Sequence, residues 1–235
     1  MDPMGLLKAP VRFLVGRAMQ YSETILCKSK AMRRIYYDIL PPNTVVVAQC
    51  RPERFLVNSS DQIIGRSIYV NGECELWKTE FVLNKLRTSK DQLVIVDIGA
   101  NIGIISIPLV VRGLAHRAIA IEPDPNNFNL LCANIYINNL SESVIALNVA
   151  LGDHEDTSAP FELSQDNFGD HRIRVTEAQG QYNELERETI SVKLTTLDEV
   201  LKEQDPTKLL LWMDTKAMRG SFSLVDLRLF RTRSR

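Results

Sequence analysis

The chain is poor in residues that announce chemistry by themselves, with four cysteines, three histidines and two tryptophans in 235 residues. Cys27, Cys50, Cys74 and Cys132 are scattered without a C-x-x-C pair, which argues against zinc or a disulfide framework and for reduced thiols in a cytoplasmic setting. His116, His154 and His171 are equally dispersed, so no metal site is expected. An excess of one charge is missing too. With 28 Lys and Arg against 29 Asp and Glu, the net charge of −1 gives no electrostatic reason to expect a nucleic-acid partner. The N-terminal stretch MDPMGLLKAPVRFLVGRAMQ lacks an apolar run long enough for a membrane span or a signal core. It reads as a docked or frayed helix, with a weak amphipathic membrane contact as the alternative. What is present, 45% hydrophobic and 24% charged residues, describes an ordinary globular α/β chain with one sizeable core.

The most informative segment is LVIVDIGANIGI, residues 93 to 104. Leu93 to Val96 are aliphatic without alternation, as in a strand buried on both faces of a parallel sheet. Asp97 closes the run, and Gly99 and Gly103 then allow a tight turn into a helix carrying Ile104, Ile105 and Ile107. The order D-x-G-x-x-x-G, with Asn101 where a middle glycine would stand, departs from the nicotinamide fingerprint G-x-G-x-x-G. An acidic residue in this position repels a diphosphate and suits a ligand bearing an ammonium group and a sulfonium. S-adenosylmethionine carries both.

A second apolar strand, Ala118 to Ile121, ends in Glu122, 25 residues beyond Asp97, where a carboxylate is placed to accept both ribose hydroxyls. Asp124 and Asn127 follow on the turn into a helix. A third strand over Val144 to Val149 leads through Gly152 to Asp153, whose carboxylate could take an adenine amino group. Polar residues thus close three successive strands, where open α/β sheets bind ligands.

Around this core, residues 44 to 70 contain the short apolar runs TVVVAQC, RFLV, QIIG and SIYV and read as a small antiparallel unit. A helix is expected over about 75 to 86, with Trp77 and Phe81 as core. Residues 152 to 190 turn polar and aperiodic, as in a long insertion over the carboxyl edge of the sheet. Its chemically richest cluster is Asp170, His171 and Arg172, where His171 reads as an ordinary solvated loop histidine, with a general base as the sharper alternative. TTLDEVL opens a helix capped by Thr195 or Thr196, and a fourth strand over Lys208 to Met213 ends in Asp214.

Taken together, VDIGANIG, IEPDPNNFNLLCANI, NVALGD, LTTLDEVL and LLWMDT resemble, in that order, the FkbM family of S-adenosylmethionine-dependent methyltransferases, over roughly residues 64 to 215. The resemblance implies a class I, Rossmann-like, mostly parallel sheet with flanking helices, and O-methylation of a hydroxyl on a sugar or small molecule. By position, Asp97, Gly99, Asn101 and Gly103 would line the methionine part of the cofactor, Glu122 the ribose and Asp153 the adenine, with Asp124 a further cofactor-binding residue. Asp214 would border the methyl-transfer point and orient the acceptor or take its proton, the plainer alternative being a helix cap.

The expected organisation is an N-terminal helical extension over 1–40, a β-rich unit with a helix over 41–90, the methyltransferase core over 91–215 and an atypical tail over 216–235. The tail KAMRGSFSLVDLRLFRTRSR departs from the family pattern. Only about seven residues separate Asp214 from Phe222, too few for a parallel crossover. The later strands of the fold are therefore expected to be missing, leaving LLLWM near an open sheet edge and prone to self-association. Two readings stand: an active methyltransferase acting on a small hydroxyl acceptor, and a truncated chain that is inactive or only binds the cofactor.

Overall fold

The computed structural model of the chain describes residues 29–73, 92–153, 158–164, 167–173 and 187–213. The expected N-terminal amphipathic stretch, the helix with Trp77 and Phe81, Asp214 and the tail lie outside these residues. Helix α1 (Lys30–Asp38), capped by Ser29, leads into the hairpin β1 (Val45–Gln49) and β2 (Arg54–Asn58). Helix α2 (Ile64–Asn71) follows.

The central sheet is built from β3 (Val94–Ile98), β4 (Arg117–Ile121), β5 (Val144–Leu147) and β10 (Leu209–Met213), in the order β10-β3-β4-β5 with all neighbours parallel. The apolar run over 93–98 lacks alternation because both faces of β3 are covered. Ile95 packs with Ala118, Ala120, Ile107 and Leu131 on one side, while Val96 and Ile98 pack with Ile119, Ile121, Leu151 and Leu197 on the other. Each such fully buried aliphatic side chain contributes roughly 1.5–3 kcal/mol. Helix α3 (Ser106–Val111) connects β3 to β4, and α4 (Pro125–Ile137) connects β4 to β5, as parallel pairing requires.

Three expectations need correction. QIIG and SIYV are not strands but belong to α2 and its entry, because the Asp61 carboxylate accepts the N–H groups of Ile63, Ile64 and Gly65 and starts a helix that Gly72 ends with φ +69°. The third strand stops at Leu147. There Asn148 turns its amide to donate to the carbonyls of Glu122 and Pro123, and β6 (Ala150–Leu151) pairs in parallel with β9 (Thr189–Thr195) instead. The supposed loop over 152–190 also carries strands. Here β7 (Ser158–Glu162) runs antiparallel to both β9 and β8 (Arg172–Ile173), and Phe161, Val192 and Ala150 form a small core of their own. Thr196, of the two candidates, caps α5 (Leu197–Leu201) by accepting the Glu199 N–H.

The hairpin is fastened to the sheet by polar side chains. Asn134 of α4, fully buried, donates to the carbonyls of Leu56 and Ile102 and accepts the Leu56 N–H at 2.6 Å. Glu53, also fully buried, receives Arg112 through both carboxylate oxygens, at 2.6 and 3.1 Å.

Candidate active site

The carboxyl ends of β3 and β4 place Asp97, Glu122 and Asp124 close together, all nearly fully buried. The loop between β3 and α3 is held open to them by three positive φ angles, at Gly99, Asn101 and Gly103. At Gly103 the requirement is double: φ is +91°, and a Cβ would stand 2.6 Å from Ile107 Cδ1. The N–H groups of Gly99 and Ala100 both donate to the Ile121 carbonyl, which locks this loop onto the end of β4. Asp97 accepts the Ser106 N–H at the start of α3.

Glu122 is the hinge of the arrangement. Its Oε2 accepts the Asn101 N–H at 2.8 Å and its Oε1 the Asp124 N–H at 2.9 Å. Burial pushes its carboxyl up to about 8; the two N–H groups pull it down, and the charges of Asp124 and Asp97 add to the rise. Asp124 behaves differently. It caps α4 by accepting the N–H groups of Asn126 and Asn127, and its carboxylate lies 3.5 Å from His171 Nε2. Burial works to raise it, but the hydrogen bond from His171, with the two N–H groups, outweighs that and holds it below the ordinary carboxyl value.

His171 is not a solvated loop residue. Its side chain is 6% exposed, lies edge-on to the ring of Phe161 and tilted against that of Phe168, and its Nδ1 accepts the Ser164 N–H at 2.8 Å. The ring proton therefore sits on Nε2, toward Asp124. Both nitrogens are engaged, which argues against a general base. A cavity of about 180 Å³ lies here, lined by Asp124, Asn126, Ser164, Phe168, His171 and Glu188 among others.

The structure thus brings Asp97, Gly99, Asn101, Gly103, Glu122 and Asp124 together. Asp153 is exposed and follows β6, which pairs with β9 rather than with the central sheet. The sequence reading missed Ser106, Asn148 and Phe168, and noted Asn127 without assigning it to the site. Among the described residues, two buried side-chain atoms, Ser106 Oγ and Asn127 Oδ1, lack a hydrogen-bond partner. The polar run P-N-N-F at the start of α4 was the available signal for Asn127. Phe168 acts through its backbone, which no residue type reveals. Among the described residues no three His, Cys, Asp or Glu side chains form a metal-binding group, and no helix is long and apolar enough to cross a membrane.

Comparison with known proteins gives the family. The methyltransferase FkbM domain model matches residues 97–216. The tRNA(Phe) (4-demethylwyosine(37)-C(7)) aminocarboxypropyltransferase of Pyrococcus horikoshii is 38% identical over 63 residues, 27% of this chain and 22% of that protein. Among solved structures, P. horikoshii TYW2 in complex with MeSAdo is 22% identical, with a TM-score of 0.37 over 52% of this chain and 48% of that one. M. jannaschii TYW2 in complex with AdoMet is 18% identical, with a TM-score of 0.36 over 50% and 54%. This chain therefore spans about half or less of each relative. The family match begins at the first acidic residue of the site and covers half of the chain, so the chain belongs to the FkbM family of S-adenosylmethionine-dependent methyltransferases.

Proposed function

We propose that the chain binds S-adenosylmethionine across the carboxyl ends of β3 and β4 and directs its methyl group to a hydroxyl on a sugar or other small molecule. One observation carries the reading: buried Asp97, Glu122 and Asp124 surround a glycine turn, so the site is rich in acceptors. The donor set fits. Asp97 brings a buried carboxylate suited to an ammonium group, and Glu122, whose raised carboxyl can both donate and accept, suits ribose hydroxyls. The unpartnered Asn127 Oδ1 adds one more acceptor to the same loops.

When bound, the cofactor supplies an activated methyl on its sulfonium. The chain's own residues then have to hold and orient rather than to break strong bonds. In this proposal Asp97 pairs with the ammonium group, Glu122 fixes the ribose, and Asn101 shapes the turn between them. Asp153 contributes at the adenine side, and Asp214 orients the acceptor hydroxyl or removes its proton. A second reading, with tRNA as acceptor, is favoured by the segment shared with an enzyme named for tRNA.

The test is calorimetric titration with S-adenosylhomocysteine and S-adenosylmethionine, followed by transfer of labelled methyl to a panel of sugars and small alcohols, and separately to tRNA. Binding is expected. Asp97→Asn and Glu122→Gln should each weaken it by about tenfold, the upper end of what one net hydrogen bond is worth. A folded chain that binds neither compound overturns the reading, and label found in tRNA but not in the small hydroxyl compounds moves the acceptor to the second one.

A further inference from the structure

The edge of β2 that faces α4 is paired by two asparagines. Alternate residues of a strand present their N–H and C=O groups to the same edge. Asn138, which caps α4, accepts the Arg54 N–H with Oδ1 at 3.0 Å and donates from Nδ2 to the Arg54 carbonyl at 2.7 Å. Asn134, one helical turn earlier, pairs with Leu56 in the same way, at 2.6 and 3.2 Å. Such a pairing uses the acceptor and one N–H of a side-chain amide, so its orientation is fixed and one N–H is left over.

The two remaining N–H groups go to different places. That of Asn138 stays within the helix, on the Asn134 carbonyl at 2.8 Å. That of Asn134 leaves the helix and meets the carbonyl of Ile102 at 3.0 Å, inside the turn between Gly99 and Gly103. The N–H that a helix would aim at this carbonyl, four residues on, is that of Ser106, and it donates to Asp97 instead. Asn134 thus supplies the donor that Ser106 gives to Asp97, at a place where Asn134 is 0% and Ile102 2% exposed. The side chain of Asn101 is held separately, since its Nδ2 shares the Phe168 carbonyl with Asn127 Nδ2, each at 3.0 Å.

From this geometry we infer that Asn134 is a positioning residue for the cofactor, which sets the Ile102 carbonyl, and with it the glycine turn beside Asp97, against the edge of the N-terminal hairpin. Leu56 lies outside the family-matched residues 97–216, so the hairpin is a working part of the cofactor cleft and not a separate attachment. The inference deepens the cofactor reading above and rests on it for the ligand, while the hold on the turn can be tested without one.

Asn134→Ala and Asn138→Ala form a matched pair, because each removes one pairing with β2 and only the first also frees Ile102. In the free chain, Asn134→Ala should accelerate amide hydrogen exchange at Asn101, Ile102 and Gly103 about tenfold relative to β4, as for one lost hydrogen bond. It should weaken S-adenosylhomocysteine by about tenfold as well. Asn138→Ala should accelerate Arg54 and leave the turn amides and the affinity at wild-type values. Asn134→Ser, whose hydroxyl still serves one of the three backbone groups, keeps the test open if Asn134→Ala does not fold. Wild-type exchange at the turn, or wild-type affinity, in a folded Asn134 variant overturns the inference. So does an Asn138 variant that loosens the turn and weakens binding equally, since both residues would then only fasten the hairpin. A wild-type chain that fails to bind S-adenosylhomocysteine sinks the cofactor reading alone, because exchange still decides whether Asn134 holds the turn.

Discussion

Glu122 is the residue where burial and function pull in opposite directions. Its carboxyl titrates near 8 in the folded chain against an ordinary value of 4.5, chiefly because it is buried. Between these values the unfolded chain has released the proton and the folded chain has kept it. The contribution of Glu122 to stability is therefore greatest below about pH 4.5, falls as pH rises toward 8, and levels off above that. Asp124 has the opposite sign, since its depressed carboxyl stabilises the fold above its ordinary value and loses that contribution only in acid. Urea denaturation from pH 5 to 9 should show the Glu122 slope in the wild type and its disappearance in Glu122→Gln. The same slope in both chains would mean that Glu122 is ionised when buried. The substitution also has a cost: a Gln amide nitrogen must face the N–H of either Asn101 or Asp124, leaving one donor unpaired at about 1–3 kcal/mol.

Elements differed in how far their residues announced them. β3 and β4 were legible because strands covered on both faces are apolar throughout, and α4 because Asp124 and Pro125 are a helix start in their own right. α2 was not, since a short apolar run such as SIYV suits a strand as well as a helix, and Asp61 decides the matter by capping. The β7–β8–β9 sheet was hidden by its own smallness, as its apolar core among the described residues is Phe161 and Val192 with Ala150 of the adjoining β6. Nor does the sequence couple Glu53 to Arg112, 59 residues away. That pair joins the turn between β1 and β2 to the end of α3. Arg112→Ala leaves a fully buried carboxylate without its partner and is expected to destabilise the chain by about 3 kcal/mol. Chemical denaturation of Arg112→Ala beside Glu53→Gln/Arg112→Met checks this. The double variant should recover part of the loss, because the stranded charge is gone. A single variant within about 0.5 kcal/mol of wild type would show that the pair adds nothing net.

For the whole molecule, the acidic strand ends and the glycine turn were readable because they are side chains at fixed offsets from apolar strands. The grip on the Phe168 carbonyl was not, because that oxygen is backbone and its partners come from residues 101 and 127. The placement of β10 has a separate consequence. In the parallel register with β3, Trp212 stands directly opposite Asp97, and its indole is partly buried against the core. The chain has only two tryptophans. With Trp77→Phe, all indole emission comes from position 212, one strand away from the cleft. The fold therefore carries its own optical probe: fluorescence of that variant should change on titration with S-adenosylhomocysteine and follow the calorimetric isotherm. An unmoved spectrum alongside measurable heat would mean that β10 is insulated from whatever happens at Asp97.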